Sequence, residues 1–177
     1  MHRLFVAIRP PEPIRDLLID AMDDTADFRW QTDEQLHLTL RFIGEVDRPV
    51  ADDVAAAFAQ IRAEGFALSI RGTGRFEQRS SGALWAGVEP KAPVSALATK
   101  IERACQQVGL EPERRGFHPH ITLARWKGRR SREVASFLER TRGLSSGPFD
   151  VTAFTLFESH LSRHGPHYEP AATYPLA

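Results

Sequence analysis

Residues 37–44 read HLTLRFIG and residues 118–125 read HPHITLAR, so the chain carries His-apolar-Thr-apolar twice, beginning at His37 and at His120. In a β-strand, residues i and i+2 share one face, and i+1 and i+3 share the other. His37 and Thr39 therefore project together, as do His120 and Thr122, while Leu38, Leu40, Ile121 and Leu123 point into a core. Apolar anchors on one face thus hold a polar pair at a fixed place on the other. The two histidines stand nearly half the chain apart. Each half offers strands, helices and one such motif, which predicts two pseudo-symmetric α+β lobes of mainly antiparallel sheet, with outer helices around a central cleft.

The rest of the chain reads around those two strands. Leu4 to Ile8 is an apolar run closed by Pro10 and Pro11, as for a buried strand. Ile14, Leu17, Leu18, Ala21 and Met22 follow helical spacing, as do Val54, Phe58 and Ile61 behind Pro49, and Leu97, Ile101, Ala104 and Val108 ahead of the stop at Gly109. Phe66 to Ile70 and Ala83 to Val88 are expected strands, separated by the turn-rich GTGRFEQRSSG, expected to be a mobile loop. Arg132 to Arg142 reads as a short helix, Phe149 to Phe157 as a strand and Tyr168 to Tyr174 as extended. No Gly/Ser-rich linker divides the chain, so residues 1–177 are expected to form one domain of two intertwined lobes.

Composition narrows the class. Hydrophobic residues make up 42% and charged residues 26%, which suits a packed core rather than a disordered chain. The 23 basic and 23 acidic side chains cancel, so any anion site must be local. Cys105 is the single cysteine, which excludes an internal disulfide and a tetrathiolate metal site and fits a reducing cytoplasm. No stretch is apolar for long enough to span a bilayer as a helix, and MHRLFVAIRPP is too short in its apolar part for a secretory signal. Nothing demands an assembly, and a monomer is expected.

Two imidazoles across one cleft suit a specific chemistry. Imidazole titrates near neutrality, so one histidine serves as general base and the other as general acid in a single turnover. Threonine hydroxyls donate to a phosphoryl oxygen as negative charge builds on it. Such a set performs in-line attack at phosphorus without a metal or other cofactor.

These residues resemble the two-histidine phosphoesterases, specifically the bacterial and archaeal RNA 2',3'-cyclic phosphodiesterases, also called 2'-5' RNA ligases. RLFVAIRPP is similar to the family's opening strand, RWQTDEQLHLTLRFIGEV to its first motif region, FHPHITLAR to its second and FESHLSRHGPHYEPAATYPL to its C-terminal signature. The resemblance implies a bilobal fold and hydrolysis of 2',3'-cyclic phosphate ends on RNA or small nucleotides to a 2'-phosphate, with 2'-5' joining as the reverse reaction. It carries His37 and His120 over as catalytic, and Thr39, Thr122 and Arg125 as phosphate-binding. Tyr168 matches a tyrosine near the cleft, and Phe117, just ahead of the second motif, is expected to contact a base. The working assignment has His120 as base toward water and His37 as acid toward the O3' leaving group, the roles exchanging in reverse.

Strand phase raises two questions. Arg125 lies at an odd offset from His120, so a regular strand would send it to the wrong face unless a strand end or bulge re-aims it. Arg41 is in phase with His37 and Thr39, which points it at the cleft. Trp30 fits either base stacking or the core, and the basic run Arg125, Lys127, Arg129, Arg130 and Arg132 either guides RNA or is a solvated surface. Two rival classes stay open: a noncatalytic nucleotide-binding module, which turnover would exclude, and a metal hydrolase using His118, His120, His160, His164 and His167, which an unchanged rate in chelator would exclude.

Overall fold

The computed structural model describes all 177 residues. In chain order the elements are β1 (His2–Ile8), α1 (Glu12–Ala21), β2 (Arg29–Trp30), β3 (Leu38–Val46), α2 (Arg48–Phe58), β4 (Phe66–Gln78), β5 (Ser81–Glu89), α3 (Lys91–Gln107), β6 (His120–Lys127), α4 (Ser131–Arg140), β7 (Phe149–Val151), β8 (Ala153–Ser162) and β9 (Gly165–Pro175), with a 3-10 turn at Asp33–Gln35. The class is α+β, as the sequence predicts. The helices start and stop where local chemistry dictates. Asp47 caps α2 by accepting from Val50 N at 3.0 Å, with Pro49 in the first turn. Gly109, at φ +92°, turns the chain out of α3.

All strand pairs are antiparallel, in the order β7-β4-β5-β6-β3-β1-β8-β9, with β2 added beside β6. The sheet divides at its middle into β3-β1-β8-β9 and β6-β5-β4-β7. These halves meet at one residue pair, Leu38 opposite Ile121. The first lobe takes strands from both ends of the chain, and the second takes the segment from β4 to β7 with β2 joined to its β6. Apolar residues from both lobes and all four helices nonetheless join in one core, from Leu4, Val6 and Leu38 through Ile121 and Leu123 to Val134 and Phe154.

Two expectations are corrected. GTGRFEQRSSG is not a loop: β4 runs on to Gln78, β5 begins at Ser81, and Arg79–Ser80 make a tight hairpin. The glycines that suggested turns do a different job. An added Cβ on Gly74 would lie 2.3 Å from the indole of Trp85, so Gly74 leaves the space that the ring occupies. The run Phe149–Phe157 is two strands, β7 and β8, which belong to different lobes.

Candidate active site

The seam between the lobes is where the motifs meet. Leu38 and Ile121 are buried on the core side of their pair, so their neighbours His37, Thr39, His120 and Thr122 take the cleft side. Continuing that register by one residue each way sets His37 opposite Thr122 and Thr39 opposite His120. The imidazoles then lie on the diagonal, their residues about 7–8 Å apart in a regular ladder. That spacing leaves room for a tetrahedral phosphoryl group between them.

Both imidazoles are oriented by the same device. His37 Nδ1 donates to the carbonyl of Gln35 at 2.7 Å, and His120 Nδ1 donates to the carbonyl of His118 at 2.6 Å, each two residues upstream. Fixing the proton on Nδ1 leaves each Nε2 lone pair free for the cleft. Gln35 is itself locked: its side chain accepts from Thr32 N at 3.1 Å and donates to the carbonyl of Pro166 in β9 at 2.9 Å. The Thr39 and Thr122 hydroxyls are half-buried and have no partner within the protein.

Rings enclose each histidine. Phe5 lies 4.9 Å from His37 and Tyr168 5.3 Å, edge-on, with Phe157 stacked on Phe5. Across the cleft, Phe76 stands edge-on to His120 at 4.8 Å, and Trp85 contacts both His118 and His120. Burial among these groups disfavours the imidazolium. His37 is pushed down to about 4 by that burial, with the charges of Arg125, His120 and Arg9 adding to it and the Gln35 hydrogen bond opposing. His120 is also lowered, chiefly by burial, with contributions from His118 and Arg125 and against its bond to the His118 carbonyl. Both are therefore neutral in the free protein at neutral pH. The proton that His37 would give to a leaving group has to be gained as an anionic phosphoryl group enters the cleft. Burial raises the Tyr168 phenol, so it stays protonated and is a hydrogen-bond donor.

A bulge in each motif strand settles the phase questions. In β6, Thr122 pairs with Trp85 and Ala124 with Leu84, so the extra residue falls at Leu123 and the alternation resets. Leu123 and Ala124 are both buried, and Arg125 returns to the cleft face, exposed and with no acidic partner. In β3, Thr39 pairs with Ala7 and Arg41 with Val6, which places an equivalent bulge at Leu40. Arg41 is thereby turned away from the cleft, contrary to its phase in the sequence. It is buried, donates to Glu102 Oε2 at 2.7 Å and to the carbonyls of Phe42 and Glu111, and holds the Glu102 carboxyl down to about 2. Phe42 takes the cleft position instead, 53% exposed and 6.2 Å from Phe5.

Of the remaining sequence expectations, Tyr168 sits against His37, but the exposed ring of Phe117 makes none of the ring contacts around either histidine; its neighbour His118 does. Trp30 packs between Phe28 and Phe137 in the core rather than facing a nucleotide. His160 and His167 face each other across the β8–β9 hairpin, with His160 on Glu169 at 3.1 Å, and no cluster of three or more His, Cys, Asp or Glu side chains has the arrangement of a metal site. Sequence reading missed Phe5, Phe42, Phe76 and Trp85. Their only signal is that they are aromatic residues on strands, a property shared with the core.

The family model described as the 2'-5' RNA ligase superfamily matches residues 10–163. The chain is 39% identical over 140 residues to an RNA 2',3'-cyclic phosphodiesterase of Aeropyrum pernix, covering 77% of this chain and 80% of that protein. Among solved structures, Escherichia coli LigT in its apo form matches with a TM-score of 0.82 at 28% identity, covering 99% of this chain and 98% of that one. Escherichia coli LigT complexed with 3'-AMP matches with a TM-score of 0.83 at 27% identity over the same shares.

Proposed function

Because the chain belongs to the 2'-5' RNA ligase superfamily, we propose that it hydrolyses 2',3'-cyclic phosphate ends of RNA and of small nucleotides, leaving a 2'-phosphate. Water attacks phosphorus in line with the P–O3' bond. One Nε2 takes the water proton, the other imidazole, protonated at Nε2 as the anionic phosphoryl group bound, delivers that proton to O3', and the P–O3' bond breaks. Thr39, Thr122 and Arg125 hold the phosphoryl oxygens as charge builds on them, and Tyr168 donates from beside His37. The chemistry is carried by protein groups alone. Run backwards with a 5'-hydroxyl in place of water, the same pair joins RNA through a 2'-5' linkage.

The observation that carries this reading is the repeated device at the two histidines: each Nδ1 is tied to the carbonyl two residues upstream, leaving an Nε2 on either side of one cleft. A noncatalytic binding module has no use for two identically prepared proton acceptors. No helix is long and apolar enough to cross a membrane. Cys105 is buried with its thiol pushed up to about 11 and inert, so it offers no disulfide partner, and the reading is of a cytoplasmic enzyme acting as a monomer.

The test is product analysis on a nucleoside 2',3'-cyclic phosphate and on cyclic-ended RNA, with and without chelator. The expected product is the 2'-phosphate at the same rate in both conditions. Absence of turnover at high enzyme concentration, or a 3'-phosphate product, overturns the proposal.

A further inference from the structure

The two-residue strand β2 exists only through its pairing with β6, and that pairing sets Arg29 directly opposite Arg125. The next pair, Trp30 opposite Ala124, packs into the core, so both arginines lie on the cleft face, and both are exposed. Lys127, two residues on from Arg125, shares that face. None of these three cations has a carboxylate or carbonyl partner. Nearby arginines do: Arg130 is bridged to Asp27 at 3.3 Å, and Arg9 and Arg15 converge on Asp33 at 3.5 and 3.0 Å.

Like charges directly opposite one another destabilise a sheet, because their side chains start only about 5 Å apart and share solvent. An uncompensated pair of this kind is a cost in the free protein that an anion laid across it removes. The strip begins at Arg125, within the phosphate site, and continues to Arg29 on one side and Lys127 along the strand. A single phosphoryl group held between His37 and His120 needs only its near end. A chain of phosphates uses all of it.

We propose that Arg29, together with Lys127, binds the phosphodiester adjacent to the cyclic end, so that the enzyme selects RNA strands over cyclic mononucleotides. The inference rests on the hydrolase reading above and concerns which substrates that site prefers. Arg29 touches the substrate away from the reacting atoms, and the contact is through charge and shape rather than base identity.

The test measures kcat/KM for a nucleoside 2',3'-cyclic phosphate and for a cyclic-ended oligoribonucleotide, across a range of salt, for the wild type, Arg29→Gln, Arg29→Lys and Lys127→Gln. For Arg29→Gln the ratio of oligonucleotide to mononucleotide kcat/KM should fall roughly tenfold, the scale of one charged hydrogen bond. Its log–log salt dependence should become shallower by about 0.7, the loss of one single-strand phosphate contact. Arg29→Lys should keep most of both. Thermal unfolding of Arg29→Gln should show no loss of stability, since an opposing charge has been removed. A ratio that stays at the wild-type value overturns the proposal, whether both substrates lose together, which would put Arg29 on the reacting phosphate or in the fold, or neither moves. Failure of the hydrolase reading is a different result, no wild-type turnover of either substrate; the strip is then read from salt-dependent binding of noncyclic RNA, which Arg29→Gln should weaken and whose indifference to that change overturns the proposal.

Discussion

Replacing His37 by Gln should flatten the acid side of the protein's stability curve. The folded-state pKa of His37 lies at about 4, below the ordinary value of 6.5, because burial and the neighbouring charges of Arg125, His120 and Arg9 disfavour the imidazolium. As pH falls through 6.5 the unfolded chain takes up the proton first, so the unfolded state gains. Stability is fully present above about 6.5 and is lost progressively as pH drops toward 4. Integrating the difference in bound protons over that window gives roughly 3 kcal/mol by pH 4. Urea unfolding of wild type and His37→Gln at a series of pH values between 4 and 7.5 isolates this contribution, since His120 and the carboxylates titrate in both proteins and cancel in the difference. The wild type should lose roughly 3 kcal/mol more than the variant over the window. Parallel curves would show that His37 titrates normally and would refute the account of its surroundings.

Other outcomes follow from the same geometry. Replacing either His37 or His120 by Ala should lower turnover by about a hundred- to ten-thousandfold with the fold retained; in the remaining pH–rate profile, the variant that loses the alkaline limb has lost the acid and the one that loses the acidic limb has lost the base. Glu102→Gln should destabilise the protein by on the order of 3 kcal/mol at neutral pH, because it leaves the buried Arg41 guanidinium without its carboxylate; Glu102 titrates at about 2 when folded, so that contribution, read by chemical unfolding, is present above the unfolded value near 4.5 and lost as pH falls toward 2. Gly74→Ala should cost about 1–3 kcal/mol by overpacking and lower kcat, since its new methyl displaces the Trp85 ring that packs on His118 and His120; an unchanged melting temperature would show that the ring moves freely.

What the sequence made legible was whatever depends on regular alternation. His37, Thr39, His120 and Thr122 on one face, with Leu38, Leu40, Ile121 and Leu123 on the other, follow from period two alone, and the structure has them so. What stayed hidden depends on where alternation breaks. A bulge is one unpaired residue set by the register of the neighbouring strand, and β1 and β5, which impose the bulges at Leu40 and Leu123, are distant in the chain from the motifs they adjust. That is why Arg41 reads as facing the cleft and instead joins Glu102, and why Phe42 went unnoticed. Gly74 and Gly82 read as turn residues because glycine is the commonest turn signal; their use here, making room for Trp85 and Trp126, is a property of packing between strands. Arg29 opens the stretch that resembles the first motif region, but nothing in the sequence sets it opposite Arg125, since β2 is two residues long and its partner lies near residue 125.

The lobes are nested, and this bears on how the protein comes to be active. Apart from β2, the second lobe is one segment whose first and last strands pair with each other, Phe66 with Val151, so it closes on itself as an inserted module would. The first lobe is its host: β1 finds β8 only across the whole insertion, Leu4 reaching Glu158. Pairings between distant segments form late, because the entropy of closing the intervening chain must be overcome first. The guest carries His120 and the host carries His37. The two histidines are therefore brought together only where guest and host meet, at Leu38 opposite Ile121, so a change that loosens this one seam should separate them while each lobe keeps its own strand pairing.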